Sequence, residues 1–480
     1  EFWNSMPFWT AFWKALGFKT VISTRSSRAL FERGLPFVSS DTVCFPAKLV
    51  HGHIRDLVDR RVDRIFMPML IRMPSENTET VSDHVCAVVK GYPLVVKHSD
   101  DPERRWNTPM DTPIFHWFDL RSRNRQIEDY MAAGFAGFGI SGGVVLQAIE
   151  EADRAQAAFQ EELHREGARV IGETEKSGGF AVVLAGRPYH GDRLVNHDLS
   201  GHFTRLGIPV LTVDSLPGVN DVDLSKTRIE ITNNFHARMM TGAIYAARNP
   251  ALEFVQIVSF GCGHDAILSD EVIRLMRDIA GKDPLVLKLD EGDAAGPLNI
   301  RVKSFIETIR TRRGKSGTGE IRELEEPYPV KFTRKDWKRK TLLIPNVSRA
   351  FCKIATAAIR RQGFRVEPLP LGGRDAIKLG KKYVHNDICF PAQMNIGEAL
   401  TVLESGQYDP DDVVLALAKY QCDCRLAHYA SLARKALDEA GFPQIPIATT
   451  DTLDTKNMYP GFNLGLGFQL RMLWGIVMID

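Results

Sequence analysis

The chain has no CxxC pair, and its seven cysteines (44, 86, 262, 352, 389, 422 and 424) are odd in number and mostly far apart. That spacing argues against a zinc ribbon, a thioredoxin-type dithiol and a disulfide framework, and it suits a reducing cytoplasm. No uninterrupted apolar run reaches the roughly 18 residues of a spanning helix. The first residues lack the basic start and small-residue cleavage site of a signal peptide, and they lack an initiator Met. A net charge of +2 over 480 residues gives no reason to expect nucleic acid or an anionic membrane as partner. An ATPase loop is missing too. Gly314-Lys315-Ser316 has Ile309 where the phosphate loop needs a glycine, so the charged stretch reads as a solvated linker.

What the sequence does have is ordinary globular composition, 44% hydrophobic and 25% charged, enough for two to four domains. Apolar, β-branched runs such as Ala181–Ala185, Phe254–Val258, Leu285–Leu289, Thr341–Pro345 and Val413–Leu417 read as buried parallel strands, and helical spacing lies between them. The expected fold is α/β: several small parallel-sheet, Rossmann-like units with an inserted helical segment and an internal repeat. Expected boundaries are a first α/β unit over 1–120, a helical segment over 121–177 and a second α/β unit over 178–310. A charged linker (311–340) and a third α/β unit (341–480) follow. Both apolar ends, Phe2 to Trp13 and Leu470 to Ile479, are expected to pack on the body or to stay exposed, as in a piece of a longer protein.

One stretch is written twice. Asp41-Thr42-Val43-Cys44-Phe45-Pro46-Ala47 returns as Asp387-Ile388-Cys389-Phe390-Pro391-Ala392. Gly17-Phe18-Lys19 precedes the first copy and Gly363-Phe364-Arg365 the second, each leading through an expected short strand and a helix-like spacer. Pro46 and Pro391 stand where a first helical turn accepts proline. Each cysteine should therefore sit at a helix N-terminus, whose dipole and free amides favour a thiolate.

Cys44, Cys86 and Cys262 each lie near a predicted strand end, and Cys389 and Cys424 take similar places late in the chain. Strand ends of a parallel sheet share a rim, so the first three are expected to converge. Three thiolates suit an iron–sulfur cluster with one open iron; zinc and buried structural cysteines are the other readings. Arg187 could hold a phosphate or pair with Asp192. His190 and His264 stand beside the same loops, and Cys352 shares an apolar helix face. His51 and His53 read as exposed or packing residues, and Asp290-Glu291 as a turn.

Longer words carry a family likeness. Phe45-Pro46-Ala47-Lys48-Leu49-Val50-His51-Gly52-His53, Gly186-Arg187-Pro188-Tyr189-His190, Ser259-Phe260-Gly261-Cys262-Gly263 and Lys288-Leu289-Asp290-Glu291-Gly292 resemble the acyl-CoA dehydratase activase-related proteins. Lys382 to Ala392 and Cys424-Arg425 match in the family order as well. Where the family has Gln-Thr-Gly-Gly before the last Cys-Arg, this chain has Lys419-Tyr420-Gln421-Cys422-Asp423. The resemblance implies a 4Fe–4S or double-cubane iron–sulfur cluster on Cys44, Cys86, Cys262, Cys389 and Cys424. It implies low-potential electron transfer driven by an ATP-dependent activase, in the same longer chain or separate, and a CoA thioester near Arg187 and His190. It leaves open a dehydratase-like lyase, an ATP-dependent reductase component, or a non-catalytic scaffold that kept the fold.

Overall fold

In the computed structural model, residues 3–477 are described, apart from 42, 75, 118, 260, 293–294, 316–319, 334, 418, 420–423 and 450–464. Their contacts divide the chain into two units. The first comprises 1–224, 233–261 and 272–324; the second comprises 225–232, 262–271 and 325–480.

The β-branched run of the first unit forms its central strand, Ala181–Ala185, flanked by Val210–Thr212 on one side and Leu252–Ser259 on the other. Leu285–Leu289 pairs with the far edge of Leu252–Ser259, and all three pairings are parallel. Every residue of Leu252–Ser259 is buried, as a central parallel strand requires. Phe203, Phe305 and Ile306 close the core over Val182, Val255, Ile257 and Leu287. The chain passes from Ala181–Ala185 to one neighbour and then to the other, so its direction of travel reverses there. A crevice at such a reversal is where α/β sheets hold ligands.

The first 176 residues of that unit are mostly helical. Helices Met6–Ala15, Leu120–Gly134 and the 35-residue Gly142–Lys176 bury Phe8, Trp9, Phe12, Phe115 and Trp117 together. The Arg123 guanidinium lies over the Phe8 and Trp117 rings and is tied to Asp153 at 2.7 Å. Two short parallel pairs, Ile65–Phe66 with Met110–Asp111 and Met69–Arg72 with Ile114–His116, lie between the helices. The short strand expected after Gly17-Phe18-Lys19 does not form: residues 18–27 take up no helix or strand. Past Cys86, which the sequence places near a strand end, residues Ala87–Ser99 form one helix with Pro93 inside it.

The second unit has its own parallel sheet, in the order Arg365–Pro368, Thr341–Ile344, Val413–Leu417, Ile447–Thr449. Taken in chain order, this is the same strand arrangement as in the first unit. Between residues 320 and 340 no helix or strand forms among the described residues, yet Tyr328 and Phe332 are buried. That stretch is anchored rather than a purely solvated linker. Of the apolar ends, Phe8, Trp9 and Phe12 are buried, whereas helix Gly465–Val477 leaves Leu473 and Trp474 exposed.

Candidate functional site

The repeat is a helical hairpin. In the first unit helix Arg28–Gly34 leads through Cys44 into Phe45–Asp59; in the second, Arg374–Tyr383 leads through Cys389 into Phe390–Glu404. Both Cys-led helices are 15 residues long. Each hairpin crosses on glycines. A side chain at Gly34 would strike the backbone of Gly52, and one at Gly397 would strike the Ala376 carbonyl. Gly52 and Gly397 stand eight residues after their cysteines, so the crossing repeats with the sequence.

The duplication runs further than the repeated words show. After each Cys-led helix come a strand, a second cysteine, another helix and a strand parallel to the first, with Met69–Arg72 and Pro102–Trp106 interposed in the first unit. In the first unit these are Ile65–Phe66, Cys86, Ala87–Ser99 and Met110–Asp111. In the second they are Val413–Leu417, Cys424, Arg425 to Glu439 and Ile447–Thr449. All four cysteines cap helices with extended backbone: φ/ψ is −63°/151° at Cys44, −53°/137° at Cys86, −58°/143° at Cys389 and −74°/139° at Cys424. The Cys44, Cys389 and Cys424 carbonyls accept from the amides of Ala47, Ala392 and Ala427 at 3.0, 3.0 and 3.1 Å. Every thiol thus stands at the positive end of a helix.

In the first unit, burial pushes the Cys44 thiol above its ordinary value. The Ala47 amide and the nearby Arg187 guanidinium oppose this, while a charge on Cys86 would add to it. Behind the pair lies a buried chain of polar groups: His51 Nδ1 donates to Asp100 at 2.5 Å, and Tyr92 meets His51 Nε2 at 2.9 Å. His51 is wholly buried, the packing alternative of its reading as exposed or packing. Burial, Cys44 and Asp100 push the Tyr92 hydroxyl up to about 12. His53 is held by Ser23 and Ser26 at 2.8 and 3.1 Å.

Arg187 stands two residues past the central strand, lies 5.9 Å from the Phe235 ring centroid and is 4% exposed. Its expected partner Asp192 is engaged instead by Ser26 and by the Leu194 and Val195 amides. His190 Nδ1 accepts from the Arg187 amide at 3.0 Å, which leaves Nε2 to face the Ser259 hydroxyl at 3.3 Å. Asp290 closes a turn on the Gly292 amide, and Glu291 pairs with Lys48 at 2.7 Å, a contact no local pattern announces.

Cys262 belongs to the second unit, so the expected grouping with Cys44 and Cys86 is not a property of the first. Its loop meets those of Cys389 and Cys424. A side chain at Gly263 would collide with the Arg425 side chain and come within 2.9 Å of the Asp387 carbonyl. Only glycine permits that approach. Three cysteine-bearing helix starts therefore gather in this unit. The Tyr429 hydroxyl lies 3.0 Å from Cys389 Sγ, and burial and this contact push it well above the usual phenol range. Below are His264 and His428, ring centroids 6.1 Å apart, and the buried ion pair Lys419–Glu230 at 2.7 Å. Burial pushes His428 down to about 3. Cys422 lies outside the described residues, and Cys352 is core, 2% exposed.

The donor set fits a thiolate-bound anionic group in kind: thiols at helix N-termini, with tyrosine hydroxyls and arginines around them. As the side chains stand, no three His, Cys, Asp or Glu among the described residues are placed to hold a metal ion. No helix among them is long and apolar enough to cross a membrane.

No match was found among curated proteins. Residues 1–216, which hold Cys44, Cys86, Arg187 and His190, match the family model described as the CoA enzyme activase uncharacterised domain. Over that stretch the chain is similar to activase-related proteins.

Proposed function

We propose that the chain is an iron–sulfur component of the CoA enzyme activase and dehydratase system, taking up electrons from an ATP-dependent activase. The observation that carries this reading is the meeting of the Cys262, Cys389 and Cys424 loops at three helix starts, fixed by the contact of Gly263 with Arg425 and Asp387. In this reading these three thiols hold a cluster, and Cys44 with Cys86 form the related but smaller set of the first unit. A cluster so bound supplies one-electron chemistry, and an open iron supplies a Lewis acid. The surrounding residues have plain tasks. The helix N-termini and Arg425 compensate negative charge, and Tyr429 donates a hydrogen bond to Cys389 sulfur. A CoA thioester is the proposed partner substrate, near Arg187 and His190.

Iron and sulfide analysis after anaerobic purification tests the reading. Iron with broad absorbance near roughly 400 nm is expected. Cys262→Ser, Cys389→Ser and Cys424→Ser should each lower the iron content, whereas Cys352→Ser should not. Protein that stays iron-free after anaerobic reconstitution, or keeps full iron in all three variants, would rule it out.

A further inference from the structure

The first unit contains a cavity of about 1190 Å³ that the cluster reading does not use. Leu184, Ala185 and Gly186 at the carboxyl end of the central strand line it, together with Val210 and Thr212 and Ile257 of the two neighbouring strands. This is the point at which the strand order reverses, the usual ligand position of an open parallel sheet. Its volume lies at or above the upper end of the roughly 300–1,000 Å³ typical of small-molecule sites.

The wall has two characters. One side is apolar, built from Met6, Pro7 and Ala11 of the first helix and from Phe159 and Leu163 of the long helix. The deep end is polar and buried: Arg187, His190 and Asn196 are 4%, 5% and 3% exposed. The charges that face the space are Lys14, His164, Arg187, His190 and Arg238 against Glu76 and Asp214. Both acids pair with Arg238, Asp214 at 3.1 Å, so the remaining balance at the wall is positive. A nucleotide phosphate is poorly served here. The loop after the strand reads Gly186-Arg187-Pro188, Pro188 has no amide to offer, and the helix that follows, Leu199–Thr204, has only six residues. Recognition rests on a side chain, and a guanidinium suits a planar carboxylate.

We propose that this cavity binds an aliphatic carboxylate, its head on the Arg187 guanidinium and its chain along Met6, Ala11, Phe159 and Leu163. The cavity shares Arg187 and His190 with the CoA thioester of the proposed function but holds none of the proposed cluster cysteines, so iron content and octanoate binding test the two readings separately.

Calorimetry on the full chain with sodium octanoate tests it. Octanoate should bind, and 1-octanol, lacking the charge, should bind at least about 10-fold more weakly. Arg187→Gln should weaken octanoate by at least about 10-fold. Phe159→Asp sets an anion into the apolar wall at a position 47% exposed, so it should weaken octanoate similarly while the melting temperature and iron content stay unchanged. Octanoyl-CoA, whose thioester has no carboxylate, should displace octanoate at least about 10-fold more weakly than octanoate itself binds; equal, Arg187-dependent displacement would overturn the carboxylate assignment. Octanol binding as well as octanoate, or both variants binding like the parent, would each overturn the proposal.

Discussion

At the scale of single residues, the buried titratable groups have the clearest consequences. Cys44 is held above its ordinary value by burial and held back by Arg187. In metal-free protein, alkylation of Cys44 should therefore reach half its maximal rate at a pH above that of an exposed cysteine. Arg187→Gln should move that midpoint higher still, as read by mass spectrometry of the modified peptide across a pH series. A midpoint that moves down on losing the guanidinium would contradict the electrostatics. His428 works in the opposite direction. Folded, it stays neutral down to about pH 3, whereas the unfolded chain protonates it near its ordinary 6.5. Below pH 6.5 the unfolded state thus binds the extra proton, and stability contributed by the neutral ring is lost as pH falls toward 3. Urea midpoints should drop between pH 7 and pH 5, and His428→Leu should flatten that slope. An unchanged slope would place the acid sensitivity elsewhere.

At the scale of elements, the glycine crossings set how the cysteine loops are held. Gly52→Ala and Gly397→Ala each force a methyl group into the partner helix's backbone, an overpacking that costs about 1–3 kcal/mol. Gly91→Ala, in helix Ala87–Ser99 with open space around it, should instead stabilise by about 0.5–1 kcal/mol. Chemical denaturation of the three variants checks this, and equal effects at all three would show that the crossings are loose. The elements also show how much could be read from sequence. The strands Ala181–Ala185 and Val413–Leu417 match their apolar runs residue for residue, because a central parallel strand is apolar on both faces; Leu285–Leu289, at the sheet edge, matches its run as well, with Lys288 exposed. Cys44 and Cys389 sit at helix starts as the following prolines require. Helix Ala87–Ser99 is not legible locally, because its β-branched residues and Pro93 argue against the helix that packing supports. The placement of Cys262 was invisible for another reason. It depends on Gly263 meeting Arg425, 162 positions away, and nothing local encodes such a meeting.

At the scale of the whole molecule, the second unit is assembled from three separate stretches of chain. Lys419, its side chain 1% exposed, finds its carboxylate on Glu230, and Lys435 finds one on Asp270 at 2.5 Å. Residues 325–480 expressed alone would bury a lysine without its counter-ion. That fragment should fail to show a cooperative unfolding transition. In the full chain, Glu230→Gln should destabilise by about 3–5 kcal/mol, the cost of leaving one partner of a buried pair alone. A fragment as cooperative as the intact protein would mean that 225–232 and 262–271 are dispensable.

Glu230 and Lys419 are 189 positions apart. At roughly 5–20 residues per second of synthesis, the carboxylate emerges on the order of ten to forty seconds before the lysine that neutralises it. During that interval Glu230 and the Cys262 loop must remain hydrated, and the three cysteine loops cannot gather. The site around Cys262 is therefore among the last parts of the protein to come into being, and any metal it takes has to arrive after translation has passed residue 424.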